Sequence, residues 1–349
     1  MRVVYSEQHR RHNPRHDVDS GVPVSMVEVP ARAEHILAAL EQDRAFTIEP
    51  PTAHGIEPIQ AVHSPGLIAF LEHAWQSWRS VSRSPEMFPD TMLLQGLREG
   101  MDTLTAPEPR SPVGQIGYWC FDTGTPIVEG TYAAARAAVD VALTTADRVL
   151  HGESMAYGLC RPPGHHAGRS VFGGFCYFNN AAIAAEYLLQ RGRSPLAVLD
   201  LDYHHGNGTQ QIFYRRGEVL YVSLHADPLH AFPFFTGHAD EIGAGPGAGT
   251  TLNIALPAGT SDEAYLSALD RALDMLVQFQ PAILVVSVGI DTYVHDPLGD
   301  FVLTTAVYRE CGRRVAATAI PLVILQEGGY YLPDLGDNVH QWLSGALSK

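Results

Sequence analysis

An α/β fold, with a central parallel sheet covered by helices on both faces, is the expectation that three features of the sequence carry. From about residue 129 onward, helix-like and strand-like segments alternate, the pattern of strands joined by crossover helices. The strand-like segments are short, almost wholly apolar runs, as strands buried on both faces tend to be. Each run then gives way to a polar residue set among glycines or prolines, which suits the ligand-binding edge of such a sheet.

The elements follow in order. Glu129 to Leu150 is alanine-rich and helical, and Met155 to Cys160 is a short strand. Asn179 to Arg191 is helical, and Leu196 to Asp200, after Gly192 and Pro195, is a buried strand. Val219 to Leu224 is a strand, Ser261 to Phe279 a helix, and Ile283 to Val288 a strand. Thr304 to Ala319 is a helix and Pro321 to Gln326 a strand. Ahead of this series, Ala31 to Glu41 and Pro65 to Trp78 have amphipathic helical spacing. Between them and the alternating region, Ser84 to Pro126 is irregular, broken by Pro85, Pro89, Pro107, Pro109, Pro112 and Pro126. A loop this long is usually functional or an interaction element. The expected organisation is one domain, residues 1–349, with an insert at about 84–126.

Composition narrows the function. A hydrophobic share of 46% against 17% charged residues describes a chain with a substantial core. No apolar run is long enough to span a bilayer, the N-terminus lacks a signal-peptide core, and four cysteines without CxxC spacing suggest free thiols. A cytoplasmic protein is expected. The formal charge of −15 disfavours a nucleic-acid surface and favours a small cationic substrate. The single lysine, Lys349, excludes a Walker A loop and makes Schiff-base chemistry implausible, and no Gly-x-Ser-x-Gly elbow is present.

The strand ends hold the chemistry. Asp200-Leu201-Asp202-Tyr203-His204-His205-Gly206-Asn207-Gly208-Thr209 follows a buried strand, where ionisable groups are costly unless paired or bound to metal. If the segment stays extended, Asp202 and His204 point to the same side. An oxygen and an imidazole nitrogen side by side suit a divalent metal, zinc above all. A hydrogen-bonded strand end closed by a Gly-Asn-Gly turn is the bland alternative. Four other strand ends deliver polar groups to the same edge: Arg161-Pro162-Pro163-Gly164-His165-His166-Ala167-Gly168, Ser223-Leu224-His225-Ala226-Asp227, Gly289-Ile290-Asp291-Thr292 and Glu327-Gly328-Gly329-Tyr330. Catalytic zinc takes three protein ligands and leaves one position open; Asp202, His204 and Asp291 form such a set. Two anionic ligands acidify water weakly, so a separate base is required, and the tandem His165-His166 supplies it. Tyr330 is placed to donate a hydrogen bond to a carbonyl oxygen as charge builds there. Asp200, pointing opposite to Asp202, either orients one histidine of the pair or binds a monovalent cation with Ser223 and backbone carbonyls.

These motifs, with Gly173-Gly174-Phe175-Cys176-Tyr177-Phe178-Asn179-Asn180, resemble the zinc-dependent histone deacetylase superfamily, and within it the bacterial acetylpolyamine amidohydrolases. The resemblance covers almost the whole chain, from Tyr5-Ser6-Glu7 to the final helix, and Gly114 to Cys120 looks like the polyamine-specific branch. It implies an arginase–deacetylase fold, one Zn(2+) per subunit on Asp202, His204 and Asp291, and His166 as the general base beside His165. It implies that Tyr330 polarises the acetamide, that Gly174 accepts a hydrogen bond from the amide nitrogen, and that Phe175 and Phe232 form an aromatic slot. A structural K(+) site maps onto Asp200, Ser223 and the carbonyls of Asp202, His204 and Leu224, and the insert maps onto a channel-narrowing, dimer-forming loop. Asn207 stands where many histone deacetylases carry an aspartate behind the second histidine, which leaves that histidine less basic. Asp17 and Asp19 fall at the family's channel entrance, and Val113 where a relative carries an acidic residue.

The expected reaction is removal of acetyl from N-acetylated polyamines or diamines, giving acetate and the free amine. The alternative is deacetylation of acetyl-lysine in proteins or peptides. Arginase-like binuclear manganese chemistry lacks its bridging carboxylates in the motifs present, and a non-enzymatic amine sensor fits poorly with a full set of ligands, base and tyrosine.

Overall fold

The computed structural model describes residues 1–19, 21–103 and 105–348; Lys349 lies outside them. Its strands in chain order are β1 (Arg2–Val4), β2 (His16–Asp19), β3 (Val22–Ser25), β4 (Thr47–Glu49), β5 (Met155–Gly158), β6 (Leu196–Asp200), β7 (Val219–Ala226), β8 (Thr251–Leu256), β9 (Ile283–Val288) and β10 (Leu322–Gln326). The α-helices are α1 (Ala31–Glu41), α2 (Glu57–Val62), α3 (Pro65–Val81), α4 (Pro112–Trp119), α5 (Thr131–Leu150), α6 (Asn180–Gln190), α7 (Asn207–Phe213), α8 (Asp262–Phe279), α9 (Thr305–Ala317) and α10 (Leu332–Leu347). Eight strands form one sheet in the order β4-β1-β5-β10-β9-β6-β7-β8, and β2 pairs with β3 as a separate antiparallel hairpin. Every pairing within the large sheet is parallel.

The unbroken apolar runs have a simple cause. Successive side chains on a strand point to opposite faces, and helices cover both. On β6, Leu196 and Val198 join the core with α2, α3, α5 and α6 residues such as Ile59, Leu67, Leu143 and Ile183. Ala197 and Leu199 join the opposite core, with Ile36, Leu269, Val307 and Trp342 of α1, α8, α9 and α10. On β9 the same division separates Ile283 and Val285 from Leu284 and Val286. Helices on both faces of a parallel sheet are the expected layering, and the aligned strands send the carboxyl ends of β5, β10, β9 and β6 to one place.

Several boundaries differ from the sequence expectation. The strand expected to reach Cys160 stops at Gly158, and that expected to stop at Leu224 runs to Ala226. β1 and β4, three residues each, are too short to show periodicity. β8 is an edge strand that buries the polar Thr251 and Asn253 along with Ile254 and Leu256, so Thr251-Leu252-Asn253-Ile254-Ala255-Leu256 does not read as an apolar run. The insert is not irregular throughout: Pro112 opens α4 and Gln95–Arg98 form a 3₁₀ turn. The glycines that hid α4 serve packing, because a Cβ on Gly117 would collide with the Thr91 carbonyl, while Leu93 N–H donates to the Gly117 carbonyl at 2.9 Å.

Candidate active site

The segment after β6 leaves the sheet at once. Leu201 N–H still reaches the Ser287 carbonyl of β9 at 2.9 Å, but residues 202–204 form bends rather than strand. The extended geometry expected for Asp202-Tyr203-His204 is therefore not what aligns them. Instead His204 N–H donates to Asp202 Oδ1 at 2.9 Å, folding the imidazole back over the carboxylate. Asp291, just beyond β9, arrives from the neighbouring strand.

Asp202, His204 and Asp291 present ligand atoms within 4.8 Å of one another. His204 Nδ1 lies 3.3 Å from Asp202 Oδ1 and 3.0 Å from Asp291 Oδ2. The second oxygen of each carboxylate is taken by backbone: Gly328 N–H donates to Asp202 Oδ2 at 2.8 Å and Tyr203 N–H to Asp291 Oδ1 at 2.9 Å. These bonds aim the remaining oxygens at a common point. Both carboxylates are buried, and among the described residues neither accepts a hydrogen bond from an arginine. Burial and the Asp202 charge push Asp291 above the usual carboxylate range. Burial also opposes ionisation of Asp202, but His165 and His204 hold it well below the usual carboxylate range. Two buried carboxylates and an imidazole that converge in this way are the donor set that fits zinc.

His165 and His166 lie on the segment after β5, their ring centroids 4.0 Å apart. The segment is pinned by Glu327 at the end of β10, whose carboxylate accepts from Gly164 N–H at 2.6 Å and His165 N–H at 3.2 Å. The two rings have different partners. His165 Nδ1–H donates to Asp200 Oδ2 at 3.1 Å, whereas His166 Nδ1–H donates to Asn207 Oδ1 at 2.7 Å. Burial disfavours charge on both. For His165 the Asp202 and Asp200 carboxylates reverse that and lift it to about 10. For His166 the cations at His165 and His204 add to burial and drive it well below its ordinary value. The two imidazoles are thus driven in opposite directions, His165 toward the charged form and His166 toward the neutral one.

Asp200 orients a histidine, one of the two roles left open for it; Tyr221 hydroxyl also donates to Asp200 Oδ2 at 3.1 Å. Ser223 Oγ lies against His225 Nδ1 at 2.8 Å, not against Asp200. Leu224 is fully buried on β7. The separate grouping of His165, Cys176 and Glu327 also brings ligand atoms within 4.8 Å. All four cysteines are free and buried.

Tyr330 is held by its backbone and ring rather than by its hydroxyl. Tyr330 N–H donates to Asp296 Oδ2 at 2.6 Å, and the Arg32 guanidinium lies 4.6 Å from the ring centroid. Burial raises the phenol well above its usual range, so it is a neutral donor. Among the described residues no protein acceptor is bonded to that hydroxyl. Phe175 meets the Tyr330 ring edge at 5.8 Å, while Phe232 packs on His166 at 5.0 Å and His204 at 6.1 Å. The expected slot residues therefore contact different side chains, Phe175 that of Tyr330 and Phe232 those of His166 and His204. Gly174 abuts His166, since a Cβ on it would fall 2.2 Å from His166 Cδ2. Asp17 on β2 faces Gly124 of the insert, where a Cβ would meet its Oδ1 at 2.8 Å, and burial raises its carboxyl to about 6. Asp19 is at the exposed end of the same strand.

Sequence reasoning missed several supports. Phe121 stacks on Phe232 with centroids 6.0 Å apart. Arg32, buried and paired to Glu28 at 2.8 Å, also donates to the carbonyls of Gly329 and Glu327. Arg161 joins the same buried network through Glu28 at 2.9 Å. Arg32 and Glu28 lie nearly 300 residues from the loop they brace, and no local pattern marks them. Glu327 sits in the Glu327-Gly328-Gly329-Tyr330 motif at the end of β10, whereas Asp296 lies in the loop beyond Thr292, where no pattern marks it.

The histone deacetylase domain model matches residues 26–346. The chain belongs to the histone deacetylase family. It is 42% identical over 346 residues to the acetylpolyamine amidohydrolase of Mycoplana ramosa, covering 99% of each chain. Acetylpolyamine amidohydrolase 2 of Pseudomonas aeruginosa is 39% identical over 345 residues, 99% of this chain and 98% of that one. Among solved structures, the acetylpolyamine aminohydrolase of Burkholderia pseudomallei superposes with a TM-score of 0.92 at 38% identity, covering 99% of this chain and 98% of that one. Family membership makes the chain a deacetylase of the hydrolase class.

Proposed function

We propose that this enzyme hydrolyses N-acetylated polyamines or diamines to acetate and the free amine, with zinc on Asp202, His204 and Asp291. The observation that carries the reading is the three-ligand cluster together with His166, fixed by Asn207, and a Tyr330 hydroxyl that has no protein partner among the described residues. When bound there, zinc would supply Lewis-acid polarisation of the acetamide carbonyl and of water.

The chain's own groups supply the remainder. Because Nδ1–H of His166 is committed to Asn207, Nε2 is the free basic nitrogen and takes the proton of the attacking water. Tyr330 donates to the acetamide oxygen as negative charge gathers on it. The Gly174 carbonyl accepts the amide N–H. The His166 proton then passes to the leaving amine nitrogen as its bond to carbon breaks. His165, bonded to Asp200, sits beside His166 with its other ring nitrogen toward Asp202. Phe175 and Phe232, with Phe121 behind, exclude water around a slender alkyl chain.

Overall acidity and the half-buried Asp17 near the insert favour a cationic substrate. A potassium ion on Asp200, Ser223 and the carbonyls of Asp202, His204 and Leu224 belongs to the same reading, supported by the burial of Asp200 and Ser223. So does a homodimer through the insert, where Leu93, Leu94, Leu97 and Met101 are exposed apolar side chains. A cytoplasmic location accords with the absence, among the described residues, of any helix long and apolar enough to cross a membrane. The test is acetate release by metal-replete enzyme from acetylputrescine, acetylcadaverine and an acetyl-lysine peptide. Faster turnover of the diamines is expected; preference for the peptide would favour the protein-deacetylase alternative.

A further inference from the structure

Gly174 and Phe175 are consecutive residues with positive φ, 58° and 65°. Gly173 N–H donates to the Cys176 carbonyl at 3.1 Å and Cys176 N–H to the Gly173 carbonyl at 3.0 Å. Two left-handed residues closed by a reciprocal pair describe a tight hairpin turn, which ordinarily recruits Asn-Gly rather than Gly-Phe. A bulky residue is strained in this conformation and persists only where surroundings over-determine it. The turn's own pairing leaves the N–H groups of Gly174 and Phe175 unused.

Both are taken by the last residues of the insert. Gly174 N–H donates to Asp122 Oδ2, and Phe175 N–H donates to Thr125 Oγ1 at 2.9 Å. The two acceptors are tied together, with Thr125 hydroxyl donating to Asp122 Oδ2 at 3.2 Å and Gly124 N–H to Asp122 Oδ1 at 3.0 Å. Phe121 N–H adds a bond to the Phe172 carbonyl at 3.1 Å, just before the turn. Thr125 is fully buried. Neither Asp122 nor Thr125 touches the metal cluster through any hydrogen bond, yet the turn they hold lies against His166 on one side and Tyr330 on the other.

We propose that Asp122 and Thr125 are positioning residues, clamping the Gly174–Phe175 turn so that the Gly174 carbonyl meets the substrate amide N–H. The insert thereby sets amide selectivity as well as channel shape. This rests on the deacetylase reading above. Without the clamp the turn relaxes, the carbonyl swings out of line, and the bond lost is one that only an amide substrate makes.

The experiment compares N-acetylcadaverine with the acetate ester of 5-aminopentanol, which has the same chain but no N–H. Wild type should hydrolyse both. In Asp122→Ala and Thr125→Val the ratio of kcat/KM, amide over ester, should fall about fivefold, the worth of one ordinary hydrogen bond, and Thr125→Ser should restore it. Equal losses on both substrates, or a ratio within about twofold of wild type, overturn the proposal. If Asp122→Ala fails to fold, the two Thr125 variants decide by the same ratio. Wild type inert on the amide would overturn the deacetylase reading itself, and this proposal with it.

Discussion

Removing one oxygen atom, in Tyr330→Phe, tests the catalytic assignment with little disturbance of the fold. The ring is fixed by contacts that do not involve the hydroxyl: the backbone bond to Asp296 at 2.6 Å, Arg32 at 4.6 Å from the centroid, and Phe175 at 5.8 Å. Phenylalanine should therefore occupy the same place. The hydroxyl bonds no protein group among the described residues, so its loss strands no buried partner, and unfolding stability should change by less than about 1 kcal/mol. The transition state, however, loses a neutral donor aimed at developing charge in a dry site. One such donor is worth about 3–4 kcal/mol, or roughly 10²–10³ in kcat. Steady-state acetate release should show that fall with KM little changed, because the bond strengthens mainly as charge forms. Metal content should stay at the wild-type value. A fall of less than about tenfold, with metal retained, would refute the role given to Tyr330.

Other expectations concern the metal, the turn and the protonation of a buried histidine. Exhaustive chelation should abolish acetate release, and added zinc should restore it while raising Tm, since the ion binds only the folded cluster; full activity in protein that elemental analysis finds metal-free would contradict the ligand assignment. In Gly174→Ala, the new Cβ falls 2.2 Å from His166 Cδ2 at a residue with φ of 58°. His166 must shift, and kcat should drop more than about tenfold; near-normal turnover would mean that Gly174 does not line the base. His63 spends both ring nitrogens on the backbone, Nδ1 toward the Gly168 carbonyl at 2.8 Å and Nε2 accepting Asn179 N–H at 2.9 Å, and burial lowers it from 6.5 to about 4. Since the folded value lies below the unfolded one, its contribution is present above pH 6.5 and is lost as pH falls toward 4, up to about 3 kcal/mol. Urea unfolding as a function of pH should show that decline in wild type and a shallower one in His63→Gln; parallel curves would exclude the assignment.

Much of the sheet was legible because strands buried on both faces write themselves as uninterrupted apolar runs. Leu196-Ala197-Val198-Leu199 and Ile283 to Val288 need no tertiary information to be recognised. The strands that escaped were those whose run is broken by polar residues or whose length is too small, namely β1, β4 and β8. The site was legible for a related reason: parallel strands end at one edge, so polar residues after each run must share a neighbourhood. Asp202, His204, Asp291, His165, His166 and Tyr330 all follow from that rule. The supports did not, because Arg32 reaches the Gly329 carbonyl across 297 residues and Asp122 reaches Gly174 from an insert that looked structureless.

By itself, then, the sequence determined the layered α/β architecture and the chemical inventory of the site, since both follow from local hydrophobicity and from which residues end each strand. Only the tertiary structure decided how that inventory is divided. It gave His165 a carboxylate and His166 an amide, which makes the first imidazole the more basic of the two. It also fixed the Gly174–Phe175 turn from outside, through side chains of the insert. Partner choice of this kind depends on packing between distant segments, where a shift of a few ångströms exchanges one hydrogen bond for another.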